Sequence, residues 1–291
     1  MSKKSSLDQF YTKEEVSIKC CKILKKKLGN TLNFSKEKFF EPSAGTGAFI
    51  SAAKKVFGKD ISIEAYDIEP KSQEIKYANF LTLEVPQKEE YITIGNPPFG
   101  KRSKLAIDFF NKAATFSHTI AFIIPLQFEK YSVQKNLNKD FRLIHSEILD
   151  PDSFICNGKA YKVRCCFQIW TKLKTKHKDK RITSSPDIQH PDFQLFQYNN
   201  TEQSIKYFNK AEYKWDFAIP RQGFYDYNLR IENPEDLKKN VQYIFFKAKN
   251  ETIKQRLLSI DYNKLSQKNT TIPGFGKADV IQCYKEMLAN E

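Results

Sequence analysis

The chain has 291 residues, with 48 Lys+Arg against 34 Asp+Glu, a formal charge of +14 and a pI near 9.3. A hydrophobic fraction of 40% with 24 Phe and 14 Tyr is globular and excludes global disorder, and no apolar run approaches the ~18 residues of a membrane span. Six cysteines in no C-x-x-C spacing argue against a disulfide framework or a zinc site and for a reduced, cytoplasmic chain. The start, Met1 to Asp8, has no apolar stretch after its lysines, so no secretory signal is expected. The positive surplus points to a polyanionic partner, most often nucleic acid, or else to a merely soluble basic surface.

In chain order, Val16 to Leu28 has apolar residues at helical spacing with lysines on the other face. A short strand ends at Phe39-Phe40-Glu41, glycines at 45 and 47 interrupt the chain, and a helix starts near Phe49. Ile61 to Tyr66 alternates as a strand does. Tyr91 to Ile94 and Thr119 to Ile124 are β-branched runs, with helical periodicity from Ser103 to Phe116 between them. Val163 to Trp170 is a nearly continuous apolar run and reads as a buried strand. Strands alternating with helices predict a mostly parallel sheet covered on both faces, an α/β fold. The composition breaks at Thr171 to Arg181, where six cations alternate with polar residues, so a solvated basic linker is expected over 173–185. Beyond it, strands are expected around Trp215 to Ile219 and Tyr243 to Lys247, and helices around Glu251 to Ile260 and Ala278 to Leu288. Residues 1–170 hold 27 basic and 19 acidic residues and residues 171–291 hold 21 and 15, so the surplus reads as evenly shared, +8 and +6.

Three segments carry chemistry. Glu41 to Phe49 (EPSAGTGAF) follows a strand and opens a helix, and Gly45 and Gly47 allow a tight turn and close approach of a ligand. Ile50 stands where the dinucleotide fingerprint needs its third glycine, so the turn by itself is as readily structural as pyrophosphate-binding. Asp67 ends the next strand, 20 residues after Gly47, where α/β nucleotide sites place the carboxylate that accepts ribose hydroxyls. Gly95-Asn96-Pro97-Pro98-Phe99-Gly100 follows the strand Tyr91 to Ile94 at the carboxyl end of the sheet, where open α/β sheets bind ligands. Asn96 offers a side-chain acceptor, the prolines offer carbonyls without N–H groups, and Phe99 offers an apolar face. That set suits a flat amine conjugated with a ring.

In these segments and their order the sequence resembles the S-adenosylmethionine-dependent DNA adenine-N6 methyltransferases of the γ arrangement, over about residues 7–170. The resemblance implies a class I methyltransferase fold, with a Rossmann-like, mostly parallel sheet and helices on both faces, and S-adenosylmethionine as cofactor. Leu7 to Thr12 looks like the segment that folds over the methionine end of the cofactor, which assigns Phe10, Tyr11 and Thr12 to it. Glu41, Ser43, Ala44, Gly45, Gly47 and Phe49 match the cofactor loop, and Asp67 with Ile68 the ribose-binding position. Asn79 and Phe80 resemble the adenine-binding segment, with Asn79 where the family usually has Asp. Asn96, Pro97, Pro98 and Phe99 match the catalytic motif, and Phe154, with Tyr161 behind it, the late aromatic that packs on the target base. A domain over 1–172 would then be catalytic, and a smaller α+β domain over 186–291 would recognise DNA, with RNA the alternative acceptor and a non-catalytic cofactor-binding module the alternative role.

In the second part, Arg221 and Gln222 can read G and A edges, and Thr270 to Lys277 ends in a glycine-rich turn suited to phosphate. Pro191-Asp192 with Glu212-Tyr213-Lys214 fits the loose nuclease pattern P-D…E-x-K, a permissive match. His118, His145, His177 and His190 share no ligand spacing, and no metal site is expected.

Overall fold

The computed structural model describes residues 10–86, 90–156, 159–197, 209–210, 213–267 and 272–290. The chain forms two units, one ending at Thr183 and one beginning at Ser184.

The first unit runs β1 (Tyr11–Thr12), α1 (Glu14–Leu28), β2 (Lys38–Glu41), α2 (Ala48–Phe57), β3 (Ser62–Asp67), β4 (Lys76–Tyr77), β5 (Tyr91–Gly95), α3 (Lys104–Ala113), β6 (Ser117–Pro125), α4 (Tyr131–Gln134), β7 (Arg142–Ile148), β8 (Phe154–Cys156), β9 (Lys159–Tyr161) and β10 (Cys165–Thr171). Seven strands form one sheet in the order β4-β3-β2-β5-β6-β10-β7. The β4, β3, β2, β5 and β6 pairings are parallel, and β10 lies antiparallel between β6 and β7. This order, with one reversed strand inserted beside the edge, is the class I methyltransferase fold.

The apolar runs explain why the sheet is covered on both faces. Successive side chains of a strand point to opposite sides, so Phe39, Ile92, Ile94, Ala121, Ile123, Phe167 and Ile169 pack with Cys20, Leu24 and Leu28 of α1 and Phe49, Ala52 and Ala53 of α2. Their neighbours Phe40, Ile120, Phe122, Ile124, Cys166 and Trp170 pack on the other side with Ala106, Phe109, Phe110 and Ala113 of α3. The helix α1 starts with Glu14 and Glu15 and ends with Lys25, Lys26 and Lys27, each sign at the end the helix dipole favours.

The basic stretch expected as a solvated linker belongs instead to the first unit. Its backbone runs along β7, the edge strand: Lys180 N–H donates to the Leu143 carbonyl at 2.8 Å, and Leu143 N–H to Asp179 Oδ1 at 3.0 Å. Arg181 sends Nη1 to the carbonyls of Asn138 and Phe141 and Nη2 to those of Gln134 and Leu137, at 2.6–3.0 Å, and its guanidinium lies over the Trp170 ring. An exposed sheet edge is a site for unwanted pairing. Covering it needs hydrogen bonds rather than apolar side chains, so hydropathy could not reveal it.

The second unit holds β11 (Phe193–Gln197), β12 (Phe217–Pro220), β13 (Tyr243–Ala248), α5 (Glu251–Leu258), α6 (Tyr262–Ser266) and α7 (Lys277–Leu288). Its antiparallel sheet has β13 at the centre, between β11 and β12. Phe193, Leu195, Phe217, Ile219, Ile244 and Phe246 face the three helices, and Trp215, Tyr243 and Phe245 pack on the opposite face.

Candidate active site

A pocket of about 310 Å³ opens at the carboxyl ends of β2, β3 and β5. The turn after β2 shapes its floor. Gly45 and Gly47 have φ +52° and +84°, and a Cβ on Gly45 would come within 3.1 Å of the Tyr11 ring, so the turn and its close approach to β1 need glycine. Gly45 N–H donates to Asp67 Oδ2 at 2.7 Å, and Glu69 N–H donates to Oδ1 at 2.8 Å. Asp67 thereby ties the ends of β2 and β3 together, and each oxygen keeps a further lone pair for a ligand hydroxyl.

Glu41 and Asn96 define the chemistry. Glu41, at the end of β2, is 2% exposed, and its Oε2 has no hydrogen-bond partner among the described residues. Burial, with the Asp67 charge adding, pushes its carboxyl well above the usual carboxylate range. Asn96 directly follows β5. Its Nδ2 donates to the Phe10 carbonyl at 3.1 Å, and Ser43 Oγ donates to the Asn96 carbonyl at 3.2 Å. The bond to Phe10 orients the carboxamide, and its buried Oδ1 has no hydrogen-bond partner among the described residues. A buried acceptor left open costs stability, so the site is set for an N–H donor that a ligand brings.

The pocket wall gathers the residues that the sequence placed apart: Phe10, Tyr11, Thr12, Glu41, Ser43, Ala44, Gly45, Phe49, Asp67, Ile68, Asn79, Phe80 and all of Asn96, Pro97, Pro98 and Phe99. Gly47 is absent from the wall; it shapes the turn as the residue preceding α2. Asn79 Oδ1 already accepts Leu81 N–H at 3.1 Å and keeps a second lone pair. The sequence missed Glu69, Leu105 and Phe109 in the wall. Leu105 and Phe109 are four apart on α3, a helical spacing that puts both on one face and that could have singled them out.

Phe154 needs correction. It is fully buried in the core beneath α1, opposite Thr12 in the β1–β8 pairing, and its ring is taken by packing, not presented to a base. Tyr161 lies across from Phe154 in the β8–β9 register.

In the second unit Arg221 Nη1 donates to Gln242 Oε1 at 3.0 Å, and half-buried Gln222 bridges to Gly274, so the side chain expected to read guanine is bonded internally. The glycine-rich turn is also committed: the N–H groups of Gly274, Phe275 and Gly276 donate to Ser266 O, Arg221 O and Asp279 Oδ2. Asp192 of the nuclease-like pattern accepts the Tyr284 hydroxyl at 3.0 Å, and Glu212 lies outside the described residues.

Among the described residues the wall contains Glu41, Asp67 and Glu69 but no Lys, Arg or His. A dinucleotide brings phosphates and needs cations or a third loop glycine. S-adenosylmethionine brings a sulfonium and an ammonium group, one carboxylate, an adenosine with ribose hydroxyls, and no phosphate. The acidic floor, the Asp67 lone pairs and the apolar Ile68 and Phe80 fit that molecule.

No protein-family model and no curated protein matches the sequence. Solved structures align with parts of the fold at low identity. A type I restriction-modification methyltransferase subunit from Streptococcus thermophilus aligns with a TM-score of 0.47 at 14% identity, over 59% of this chain and 46% of that one. The M protein of the type I restriction enzyme EcoKI aligns at 0.46 and 16%, over 65% and 48%. The 23S rRNA methyltransferase ErmE aligns at 0.37 and 15%, over 57% and 73%. The chain thus spans about half the length of the two restriction-system proteins.

Proposed function

We propose that this protein transfers a methyl group from S-adenosylmethionine to the N6 amine of adenine in DNA. The observation that carries the proposal is the open, buried Asn96 Oδ1 in the wall of a pocket whose described lining holds carboxyl groups and no cation.

Glu41, Asp67, Ile68, Asn79 and Phe80 would hold the cofactor, with Phe10 to Thr12 over it. When bound, it supplies an electrophilic methyl on a sulfonium sulfur. The chain's own residues then solve the problem of a poor nucleophile. The N6 lone pair of adenine is delocalised into the ring. Asn96 Oδ1 accepts one amine hydrogen and the Pro97 carbonyl the other, drawing the nitrogen towards tetrahedral geometry and aiming its lone pair. Positioning of this kind is worth ~7–11 kcal/mol, enough without a general base. The proton lost from the amine passes to water. An adenine inside a duplex cannot reach the pocket, so it is extruded at a cost of a few kcal/mol, which stacking on Phe99 partly offsets.

Labelled cofactor mixed with duplex DNA, single-stranded DNA or RNA tests the reading, with nucleosides analysed by mass spectrometry. N6-methyladenine should appear in DNA. Asn96→Ala should bind cofactor normally by calorimetry and lose roughly 10²–10³ in turnover. Transfer to RNA alone would move the activity to that acceptor, and undiminished turnover in the variant would remove Asn96 from the mechanism. Cofactor binding with transfer to no nucleic acid would favour a non-catalytic module.

A further inference from the structure

Directly after the Asn96–Phe99 motif the backbone enters a conformation that side chains disfavour. Arg102 and Ser103 are consecutive non-glycine residues with φ of 55° and 61°, and Asn240 is the remaining such residue described. Strain of this kind persists only where the surroundings impose it, and it concentrates at ligand clamps. Here Ser103, 3% exposed, donates its Oγ to Gln127 Oε1 at 2.7 Å, while Ser103 N–H bonds to Gly100 O and Ala106 N–H to Phe99 O, both at 3.3 Å.

The knuckle displays cations beside the pocket. Lys101, Arg102 and Lys104 are exposed, and the next residue, Leu105, is in the pocket wall. None of the three makes an ion pair or a side-chain hydrogen bond among the described residues, whereas Lys19, Lys38 and Lys54 each close a pair with a glutamate. They also stand at the start of α3, whose first turn holds no acidic residue, so the dipole adds to their field instead of offsetting it. At α1 the charges run the opposite way. Unpaired cations gathered at the positive end of a helix await an anion. All three lie outside the pocket wall, where the cofactor and its one anionic group, the carboxylate, would sit, so the anion they face belongs to the acceptor strand.

We propose that Lys101 and Arg102, with Lys104 adding charge, clamp a backbone phosphate of the acceptor nucleic acid next to the extruded adenine. They act as positioning residues for the transfer, and the proposal rests on the methyltransferase reading above. A duplex neutralised by a protein releases about 0.9 counterion per phosphate contact.

Arg102→Gly is the informative variant, because glycine accepts the left-handed conformation and the protein should melt no lower than wild type. The full chain is titrated against a fluorescein-labelled random duplex of about 40 base pairs between about 50 and 300 mM salt, and anisotropy is read. The slope of log K against log salt should shrink by about 0.9 for the double variant Lys101→Ala/Arg102→Gly and by a smaller amount for Arg102→Gly alone, with the double variant binding roughly tenfold weaker near 0.1 M salt. Arg102→Lys should restore most of the slope. In methyl transfer, the single variant should raise KM for DNA and leave KM for the cofactor unchanged. An unaltered slope in a normally melting double variant overturns the clamp, even where adenine methylation is confirmed. A reduced slope in a protein that methylates nothing keeps the clamp and removes the adenine-N6 reading.

Discussion

The two units of the chain differ most in charge. Residues 1–183 hold 33 Lys+Arg and 20 Asp+Glu, a surplus of +13, and residues 184–291 hold 15 and 14, a surplus of +1. The even sharing expected from the sequence arose from assigning the cations from Lys172 to Arg181 to the second part, and their backbone bonds place them in the first. Charge counted along a chain says little about which surface bears it. Nor is every cation available to a ligand: Arg181 is spent on four carbonyls of the first unit, and in the second Arg230 donates to the carbonyls of Tyr227, Leu258 and Ile260 across the face of the Tyr262 ring. The pocket and the surplus charge belong to the same unit. In the second unit, Phe224 and Leu229, 86% and 55% exposed, are large apolar side chains turned out to solvent in the segment after β12.

The largest expected effect tests that division directly. The fragment 184–291 has its own sheet and core, and it should bind a random duplex at least ~100-fold more weakly than the whole chain, with a much shallower salt slope. Equal affinities by anisotropy would break the comparison. The next effect concerns stability. Arg181→Ala should cost about 2–3 kcal/mol, because it orphans carbonyls that a charged donor satisfied; a denaturant melt reads it, and a change below about 0.5 kcal/mol would return the segment to the status of a loose linker. The smallest effect concerns Glu41. Its folded carboxyl is held above the ordinary 4.5, so the folded state keeps a proton that the unfolded chain has lost, and stability falls as pH rises from about 4.5 through the raised value. Glu41→Gln should remove that decline, so its melting advantage over wild type should grow between pH 5 and 8. A flat difference would mean that Glu41 is ionised in the fold.

Much of the first unit was legible because its signals are local. The β-branched runs of β5 and β6 and the apolar run of β10 are strands buried on both faces, and such strands announce themselves by hydropathy. The edge strand β7 was not legible: Arg142, His145, Ser146 and Glu147 interrupt its apolar residues, since an edge needs burial only in part. The short β8 and β9 lack the length for a periodic signal. In the site, the Asn96–Phe99 motif was visible because prolines and an asparagine after a strand are rare chemistry in one place. Phe154 misled, because an aromatic after a loop has the same sequence signature whether its ring meets a base or a core.

The sequence by itself determined α1, α2 and α3 and the strands β2, β3, β5, β6 and β10, the glycines of the cofactor turn, and the presence of an amide acceptor followed by two prolines at a strand end, because each depends on a few adjacent residues. Tertiary structure alone decided how those pieces act. The Phe10 carbonyl, 86 residues away, turns the Asn96 amide so that its oxygen stays open. The folding of Thr171 to Arg181 along β7 gives one unit nearly all of the surplus charge, and the packing around Ser103 holds Arg102 and Ser103 in the left-handed region, with Lys101 beside them. Orientation, burial and field are set by partners distant in the chain, which local spacing does not encode.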